Sequence, residues 1–432
     1  MKLSAADRQE FLKTITLAAP KVAPQLAAKS YELGLAVTDR HSAATTPIPV
    51  TATPEIIATN ELERRVALAH IISSATLKMS KAVLNSPLRS LIVDALSPKE
   101  KELALATYSQ LSTLVTTRVD FFVGTKVSAL EVNATIPAMQ GYSDMAAHSW
   151  IEAYGKLWNL SPQQVQSLQE SNGSNTRALF EALCSGYAKV RSPATPNRIA
   201  LLCRRNDAQL TEQQYLARQF THMGIEADVV YPDQLSGDSN VMANGKAYDL
   251  IYRHLFVRRL EEPDMQGAEF VTKLLAEPNG TRAVVLNPPA SQVEVKSVFA
   301  LLSEALENPT VKAMAALTDD ELAAISQAVP WTRTFRGDAL LRQVQANPDR
   351  YVLKRSWDYG GRAVFVGRTR NEEGFQERAR LVFGAPLQWN EVCARAVVDN
   401  RGGGFVVQEI VQTEPQAHLL CLDGQAVERS LF

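Results

Sequence analysis

Residues Tyr351–Gly367 read YVLKRSWDYGGRAVFVG and carry the most informative local signal in the chain. A strand-forming run delivers Lys354, a short polar loop contains Asp358, Gly360 and Gly361, and a second strand-forming run follows. Glycines let the backbone amides of such a loop approach a triphosphate closely, and a lysine on the preceding strand neutralises phosphate charge. The segment differs from a Walker loop, because no GK[ST] follows and the next element is a strand. It predicts a phosphate-binding loop, with a hairpin whose glycines serve only the turn as the alternative.

A second segment lies downstream, at Gly404–Val411, with the sequence GFVVQEIV. It reads as a buried strand that ends in the polar pair Gln408 and Glu409. The edge of such a strand can offer backbone N–H and C=O groups to an adenine ring, which needs one donor and one acceptor. An ordinary core strand is the alternative. The preceding Arg401–Gly404, RGGG, is interpreted as a hairpin turn.

A third segment lies upstream and consists of two short strands that carry charged residues. Alternation in VSALEVN places Glu131 and Asn133 on one face of a strand. A carboxylate and an amide oxygen suit Mg²⁺, which prefers hard oxygen ligands. Arg118 and Asp120 share one face of the preceding strand, and an arginine there could hold a carboxylate or a phosphoryl group in bidentate fashion. An exposed sheet face with ordinary salt bridges is the alternative.

The middle of the chain has an α/β pattern. Strand-like runs at Arg198–Cys203, Glu226–Tyr231 and Tyr248–His254 alternate with an amphipathic helix at 212–223, which predicts a parallel sheet. The first 115 residues or so read as mostly helical, apart from a Thr/Pro-rich segment at Ala43–Pro54 that we interpret as a loop or arm.

The bulk composition excludes several classes of protein. A net charge of −1 gives no field that favours nucleic acid or an anionic membrane. The four cysteines form no CxxC pair, which argues against a zinc ribbon or a disulfide framework. The N-terminus lacks an apolar signal core, and no apolar run is long enough to cross a bilayer. We therefore expect a soluble, cytoplasmic protein that binds neither nucleic acid nor membrane.

The order of these segments resembles eukaryotic glutathione synthetase and the wider circularly permuted ATP-grasp group that includes glutathionylspermidine synthetase. The resemblance covers about residues 115–425. The positions that carry it are, in chain order, Arg118 with Asp120, Glu131 with Asn133, Arg253, Asn287 with Lys296, Lys354 with Asp358 and Gly360-Gly361, and Gln408 with Glu409.

The resemblance implies a mixed α/β (α+β) fold, with an ATP-grasp fold in the permuted arrangement. The expected parts are a helical N-terminal region at 1–115, an ATP-grasp part with the metal-binding strand at 116–190, an α/β substrate domain of the pre-ATP-grasp kind at 191–295, and an ATP-grasp part with the phosphate loop and adenine hinge at 296–432.

The resemblance also implies roles for single residues. The implied magnesium ligands are Glu131, Asn133 and Asp358, and the implied ATP-binding residues are Lys296, Lys354, Gly360, Gly361, Gln408, Glu409 and Val411. Arg118 resembles the arginine near the reaction centre of the family, while Arg253 and Phe256 stand where the family contacts its acid substrate.

Two features depart from glutathione synthetase. Ile136 and Ala138 replace two serines that hold the peptide substrate in that family, and Phe256 replaces a tyrosine. We therefore do not expect glutathione synthesis. The family's Gly/Arg-rich closing loop would come after Phe432, so the chain is expected to be truncated, inactive alone, or closed by a segment from elsewhere.

These expectations describe an ATP- and Mg²⁺-dependent ligase that joins a small-molecule carboxylate to an amine through an acyl phosphate. The substrates would be amino acids, peptides or polyamines. Two alternatives remain open: an ATP-binding protein of this fold without ligase activity, and an interaction protein that works through its helical N-terminus. A homodimer is compatible with the sequence, which carries no signal for the oligomeric state.

Overall fold

The computed structural model describes residues 5–124, 126–278, 280, 282–358, 360–413 and 416–431. The α-helices, numbered in chain order, are α1 Ala5–Leu33, α2 Thr59–Leu84, α3 Ser90–Val93, α4 Pro98–Thr107, α5 Gln140–Leu157, α6 Pro162–Asn172, α7 Asn175–Val190, α8 Leu210–His222, α9 Ala268–Ala276, α10 Ser291–Glu294, α11 Lys296–Glu304, α12 Pro309–Met314, α13 Asp319–Ala328, α14 Asp338–Ala346, α15 Glu373–Phe383 and α16 Trp389–Ala396.

The strands, numbered in the same way, are β1 Ala36–Thr38, β2 Thr45–Pro47, β3 Val50–Thr51, β4 Arg118–Val123, β5 Val127–Asn133, β6 Arg198–Cys203, β7 Glu226–Val230, β8 Val241–Ala243, β9 Lys246–Tyr248, β10 Leu250–His254, β11 Val284–Leu286, β12 Thr332–Thr334, β13 Tyr351–Arg355, β14 Val364–Val366, β15 Phe405–Glu409, β16 Gln416–Leu422 and β17 Gln425–Leu431.

The middle of the chain forms a parallel sheet with strand order β11-β10-β6-β7. Side chains alternate across its two faces, as the pleat of a strand requires. Ile199 and Leu201 pack with α7 and α8 on one face, whereas Ala200 and Leu202 pack with α4 and α9 on the other. Burial on both faces explains why β6 is a nearly continuous apolar run. The predicted parallel sheet is confirmed.

The segment that contains β13 and β14 lies in an antiparallel sheet with strand order β12-β15-β13-β14. Tyr351 and Leu353 of β13 pack against α14, α15 and α16. The alternate residues, Val352 and Lys354, therefore face the other side of the sheet. One face of this sheet packs into a hydrophobic core, and the other face lines a cavity.

The strands that carry Glu131 and Asn133 form the antiparallel hairpin β4–β5. One face of the hairpin, which includes Val119 and Val132, packs against α2, α11 and α13. Pairing sets Arg118 opposite Asn133, and Asp120 opposite Glu131. The four polar residues consequently share the other face of the hairpin.

The N-terminal helices share their cores with later parts of the chain. Helix α2 lies in one core with α11 and α13, and α1 packs with α5 and β16. The interpretation of Ala43–Pro54 as a loop or arm is wrong in part, because Val50 and Thr51 form strand β3 and pair with Cys421 and Leu420 of β16. The domain boundaries expected from the sequence stay a prediction.

The structure is a mixed α/β protein, as expected. No helix in the described part of the chain combines the length and the apolar composition that crossing a bilayer requires.

Candidate functional site

A cavity of about 440 Å³ lies beside the antiparallel sheet and the β4–β5 hairpin. It brings together most of the residues for which a role is predicted. Those that line it are Glu131, Lys296, Lys354, Asp358, Gly360, Gly361, Gln408, Glu409 and Val411. They come from four separate parts of the sequence, at 131, 296, 354–361 and 408–411, so their convergence is a property of the fold.

Lys296, the first residue of α11, connects two sides of the cavity. Its Nζ lies 3.2 Å from Glu131 Oε2 on the hairpin and donates to the backbone carbonyl of Asp358 at 2.9 Å. Its backbone N–H donates to the carbonyl of Ser356 at 2.8 Å. The Lys296 side chain is only 11% exposed. One ammonium group therefore joins the candidate metal strand to the glycine loop.

Lys354 projects from β13 into the same cavity. Its Nζ donates to Gln408 Oε1 at 2.8 Å, and Gln408 Nε2 donates to Thr332 Oγ1 at 3.0 Å. Burial lowers the pKa of Lys354 to about 8; Glu131 opposes this shift, whereas the charge of Lys296 adds to it. The ammonium is thus held in place by a fixed amide, and a further anion would stabilise its charge.

Glu131 is the carboxylate that faces both lysines. Burial acts to raise its pKa, but the charges of Lys296 and Lys354 outweigh burial and lower the pKa below its usual value. Glu131 is therefore ionised at neutral pH. An ionised carboxylate beside a cavity is a suitable ligand for a divalent cation.

The other two predicted metal ligands occupy different positions. Asp358 lines the cavity, and its Oδ2 lies 3.8 Å from Arg355 Nη1. Asn133 follows Glu131 on the same face of β5, and its Nδ2 is buried without a hydrogen-bond partner. Within the described residues, no group of three or more His, Cys, Asp or Glu side chains could hold a metal. The predicted ligands are two carboxylates and an amide, which are oxygen donors of the kind that Mg²⁺ takes together with phosphate and water oxygens; of the three, Glu131 and Asp358 line the cavity.

The glycine loop has the backbone that its sequence predicts. Gly360 and Gly361 have φ angles of +67° and +68°, a conformation that strains other residues. A Cβ atom added at either position would meet nothing within 4 Å. Backbone conformation, not crowding, is therefore the reason for glycine here.

The predicted adenine hinge also lines the cavity. The backbone N–H groups of Glu409 and Ile410 donate to the carbonyls of Trp331 and Arg350, both at 2.9 Å. An adenine could accept a hydrogen bond from either of these N–H groups only if the existing bond broke, so among the described contacts of the predicted hinge the prediction of a donor shifts to Val411. Apolar residues that the sequence did not single out also line this cavity: Phe122, Leu130, Val352, Val364, Val366 and Ile410.

Four predicted site residues are not among those that line the cavity: Arg118, Asn133, Arg253 and Phe256. Arg118 forms a bidentate pair with Asp120, with Nε–Oδ1 at 2.7 Å and Nη2–Oδ2 at 3.1 Å. Because Asp120 itself lines the cavity, Arg118 lies at the edge of the site. Arg355, Arg362 and Arg368 line the cavity instead and had no predicted role, although Arg355 and Arg362 directly follow Lys354 and Gly361.

The geometry does not favour the predicted substrate role of Arg253. Its side chain is 1% exposed, and its guanidinium donates to four backbone carbonyls. These carbonyls belong to Asn287, Leu255, Thr135 and Pro288. Burial lowers the pKa of Arg253 to about 10. Arg253 here fastens the parallel sheet to the loop that follows β5. The guanidinium of Arg258 lies 6.0 Å from the ring of the other predicted substrate residue, Phe256.

Comparisons with known proteins bear on the fold. No protein-family model and no curated protein sequence matches this chain. A solved structure does: a glutathione synthetase-like effector from Globodera pallida in its apo form, with a TM-score of 0.55 and 12% sequence identity. The match covers 95% of this chain and 85% of that one. The overall fold is thus similar to that of a glutathione synthetase-like protein.

Proposed function

We propose that this protein is an ATP-dependent carboxylate–amine ligase of the ATP-grasp type. One observation carries the proposal: Lys296, Lys354 and Glu131 line a single cavity together with the glycine loop. Two cations and a divalent-metal ligand around one cleft are what binding a triphosphate requires. The similarity to a glutathione synthetase-like effector supports the same fold.

The residues fit a nucleotide in one orientation. The two lysines and the amides of the glycine loop would take the phosphates, and Val411 with the apolar lining would take the adenine. Glu131, Asn133 and Asp358 would hold Mg²⁺, because two carboxylates and an amide supply the hard oxygen donors that this ion prefers. When bound, the metal would supply Lewis-acid polarisation of phosphate oxygens.

The proposed reaction has two steps. A substrate carboxylate oxygen attacks the γ-phosphorus of ATP, which gives an acyl phosphate and ADP. An amine then attacks the acyl carbon; phosphate leaves, the amine loses a proton and an amide forms. Both steps develop negative charge on phosphate oxygens, so this chain contributes fixed cations and no covalent nucleophile. Arg118 would release Asp120 and bind the phosphoryl group while it is transferred.

The substrate would be an amino acid, a peptide or a polyamine, and glutathione is not the expected product. Ile136 and Ala138 lack the hydroxyl groups that hold a peptide in glutathione synthetase, and Phe256 lacks the tyrosine hydroxyl. We therefore propose that the protein differs from that family in the part of the site that binds the acid substrate, and that it shares the family's nucleotide-binding part.

The test begins with nucleotide binding. ATP with Mg²⁺ should raise the melting temperature by several degrees, since a ligand at about 100-fold excess over its Kd adds about 2.7 kcal/mol. Lys354→Ala should lose this shift, whereas Lys273→Ala, at a side chain that is 66% exposed on α9, should keep it. A wild-type protein whose melting does not respond to ATP would overturn the proposal and favour an interaction protein.

Ligase activity is tested in a second step, by ADP release with a panel of amino acids, peptides and polyamines as acid and amine. Release that depends on both an acid and an amine supports the ligase. Binding of ATP without ADP release from any pair would leave a nucleotide-binding protein without ligase activity.

A further inference from the structure

Glu294 lies at the end of α10, and its carboxylate reaches back to the candidate metal strand. Its Oε1 accepts the backbone N–H groups of both Ala134 and Thr135. These are the two residues that directly follow Asn133, the last residue of β5. One carboxylate oxygen therefore holds the turn through which the chain leaves the metal strand.

The same short segment holds the strand at a second point. Lys296, two residues after Glu294, places its Nζ 3.2 Å from Glu131 Oε2. Asn133 lies between the two points of attachment along the chain. The hydrogen bonds of Glu294 and the ion pair of Lys296 therefore fix the position of the strand end that carries Glu131 and Asn133.

The segment that carries Glu294 is itself fixed to the rest of the fold. The carbonyl of Gln292 accepts Ser80 Oγ of α2 at 2.9 Å, and the N–H of Lys296 donates to the carbonyl of Ser356 at 2.8 Å. On the far side of the turn, Arg253 Nη2 donates to the carbonyl of Thr135 at 2.8 Å. The segment after β5 is thus held between the side chains of Glu294 and Arg253.

A carboxylate in this place has an energetic cost. Burial raises the pKa of Glu294 to about 7, although the N–H groups of Thr135 and Ala134 and the charge of Lys296 oppose that rise, and Glu131 adds to it. Hydrogen-bonding groups just outside a metal site orient the ligands themselves, and Glu294 has the position of such a group beside the predicted ligands.

We infer that Glu294 is a positioning residue for magnesium: it does not bind the metal, but fixes the backbone that presents Glu131 and Asn133. The inference rests on the proposed function. It predicts that the acceptor oxygen of Glu294 matters more than its charge.

Three substitutions separate the acceptor from the charge. Glu294→Gln keeps an oxygen at the same reach, Glu294→Asp keeps the charge but withdraws the oxygen by one methylene, and Glu294→Ala removes both. The measurement is the Mg²⁺ concentration that gives half of the ATP-induced rise in melting temperature, together with the affinity for ATP without metal.

Loss of a residue that orients metal ligands typically weakens metal binding by about 10- to 100-fold. Glu294→Ala should shift the half-effective Mg²⁺ concentration by that factor, with little change in metal-free ATP affinity. Glu294→Gln should stay close to wild type, and Glu294→Asp should fall between them. If Glu294→Ala does not fold, the order of Asp and Gln decides alone.

Two results would overturn the inference while leaving the proposed function intact. An unchanged Mg²⁺ requirement in Glu294→Ala would make the contact merely structural. A larger shift in Glu294→Gln than in Glu294→Asp would show that the charge acts directly, as a ligand or through its field. If wild-type protein shows no response to ATP and Mg²⁺, the proposed function fails and this inference falls with it.

Discussion

At the scale of single residues, Lys354 carries its charge where burial works against it. Burial lowers its pKa to about 8, so the free protein has lost about half of this charge at that pH and loses the rest above it. Because a phosphate chain favours the protonated ammonium, ATP affinity should be level below about pH 8 and should fall above it by up to about tenfold per pH unit. Binding isotherms between about pH 7.5 and about pH 9.5 measure this. Lys354→Arg, which stays charged, should flatten the profile, and an unflattened profile would assign the titration to another group.

Glu131 allows the metal and the nucleotide to be separated by one substitution. Glu131→Gln removes the charge that Mg²⁺ needs but leaves Lys296 and Lys354 in place, so we expect ATP to bind while turnover falls by about 10²- to 10³-fold or more. The rate of ADP release and the ATP Kd are measured on the same preparation. Glu269→Gln, at an exposed carboxylate of α9 that pairs only with Lys273 among the ion pairs of the described chain, serves as the control. Full activity in Glu131→Gln would contradict the metal assignment.

At the scale of elements, the glycine loop offers a test of conformation without a change in contacts. Gly361→Ala places an alanine in the left-handed backbone region, at a position where its Cβ meets nothing within 4 Å. That backbone conformation costs alanine about 1–2 kcal/mol. We expect ATP binding to weaken by about tenfold, because 1.4 kcal/mol corresponds to that factor. Gly384→Ala is matched to it, since Gly384 also has a positive φ and open space but ends α15 away from the cavity. Equal ATP affinities in the two variants would remove the loop from the nucleotide site.

Elements with a strong local period could be predicted from the sequence, and those that depend on distant partners could not. Alternation in VSALEVN gave β5 and its polar face, and the strand–loop–strand around Lys354 gave β13 and β14. The pairing of β3 with β16 escaped prediction because β3 spans two residues and has its partner near the other end of the chain. Glu294 escaped for the same reason, since the amides that it accepts lie 160 and 159 residues away.

Arg253 shows a different limit. Its position in a strand was predicted, but a sequence cannot say whether a guanidinium faces a ligand or four backbone carbonyls. That choice depends on which loops converge around it, here those at Thr135 and Asn287. Chemistry that is set by side chains within one strand is therefore more predictable than chemistry that depends on where loops meet.

At the scale of the whole molecule, the cores connect regions that the sequence divides. Helix α2 lies within residues 1–115, yet it packs against α11, α13 and the β4–β5 hairpin that carries Glu131. A fragment of residues 116–432 would lack α2 and would expose the apolar surface of α11, α13 and the hairpin against which Ile72 and Met79 of that helix pack. We expect such a fragment not to fold alone, because leaving apolar surface exposed to water costs about 25 cal/mol per Å². Circular dichroism melting and ATP-induced stabilisation of the fragment measure this. A cooperative melt that ATP shifts as it does in the full chain would establish 1–115 as a separate domain, and the metal strand would then need no support from α2.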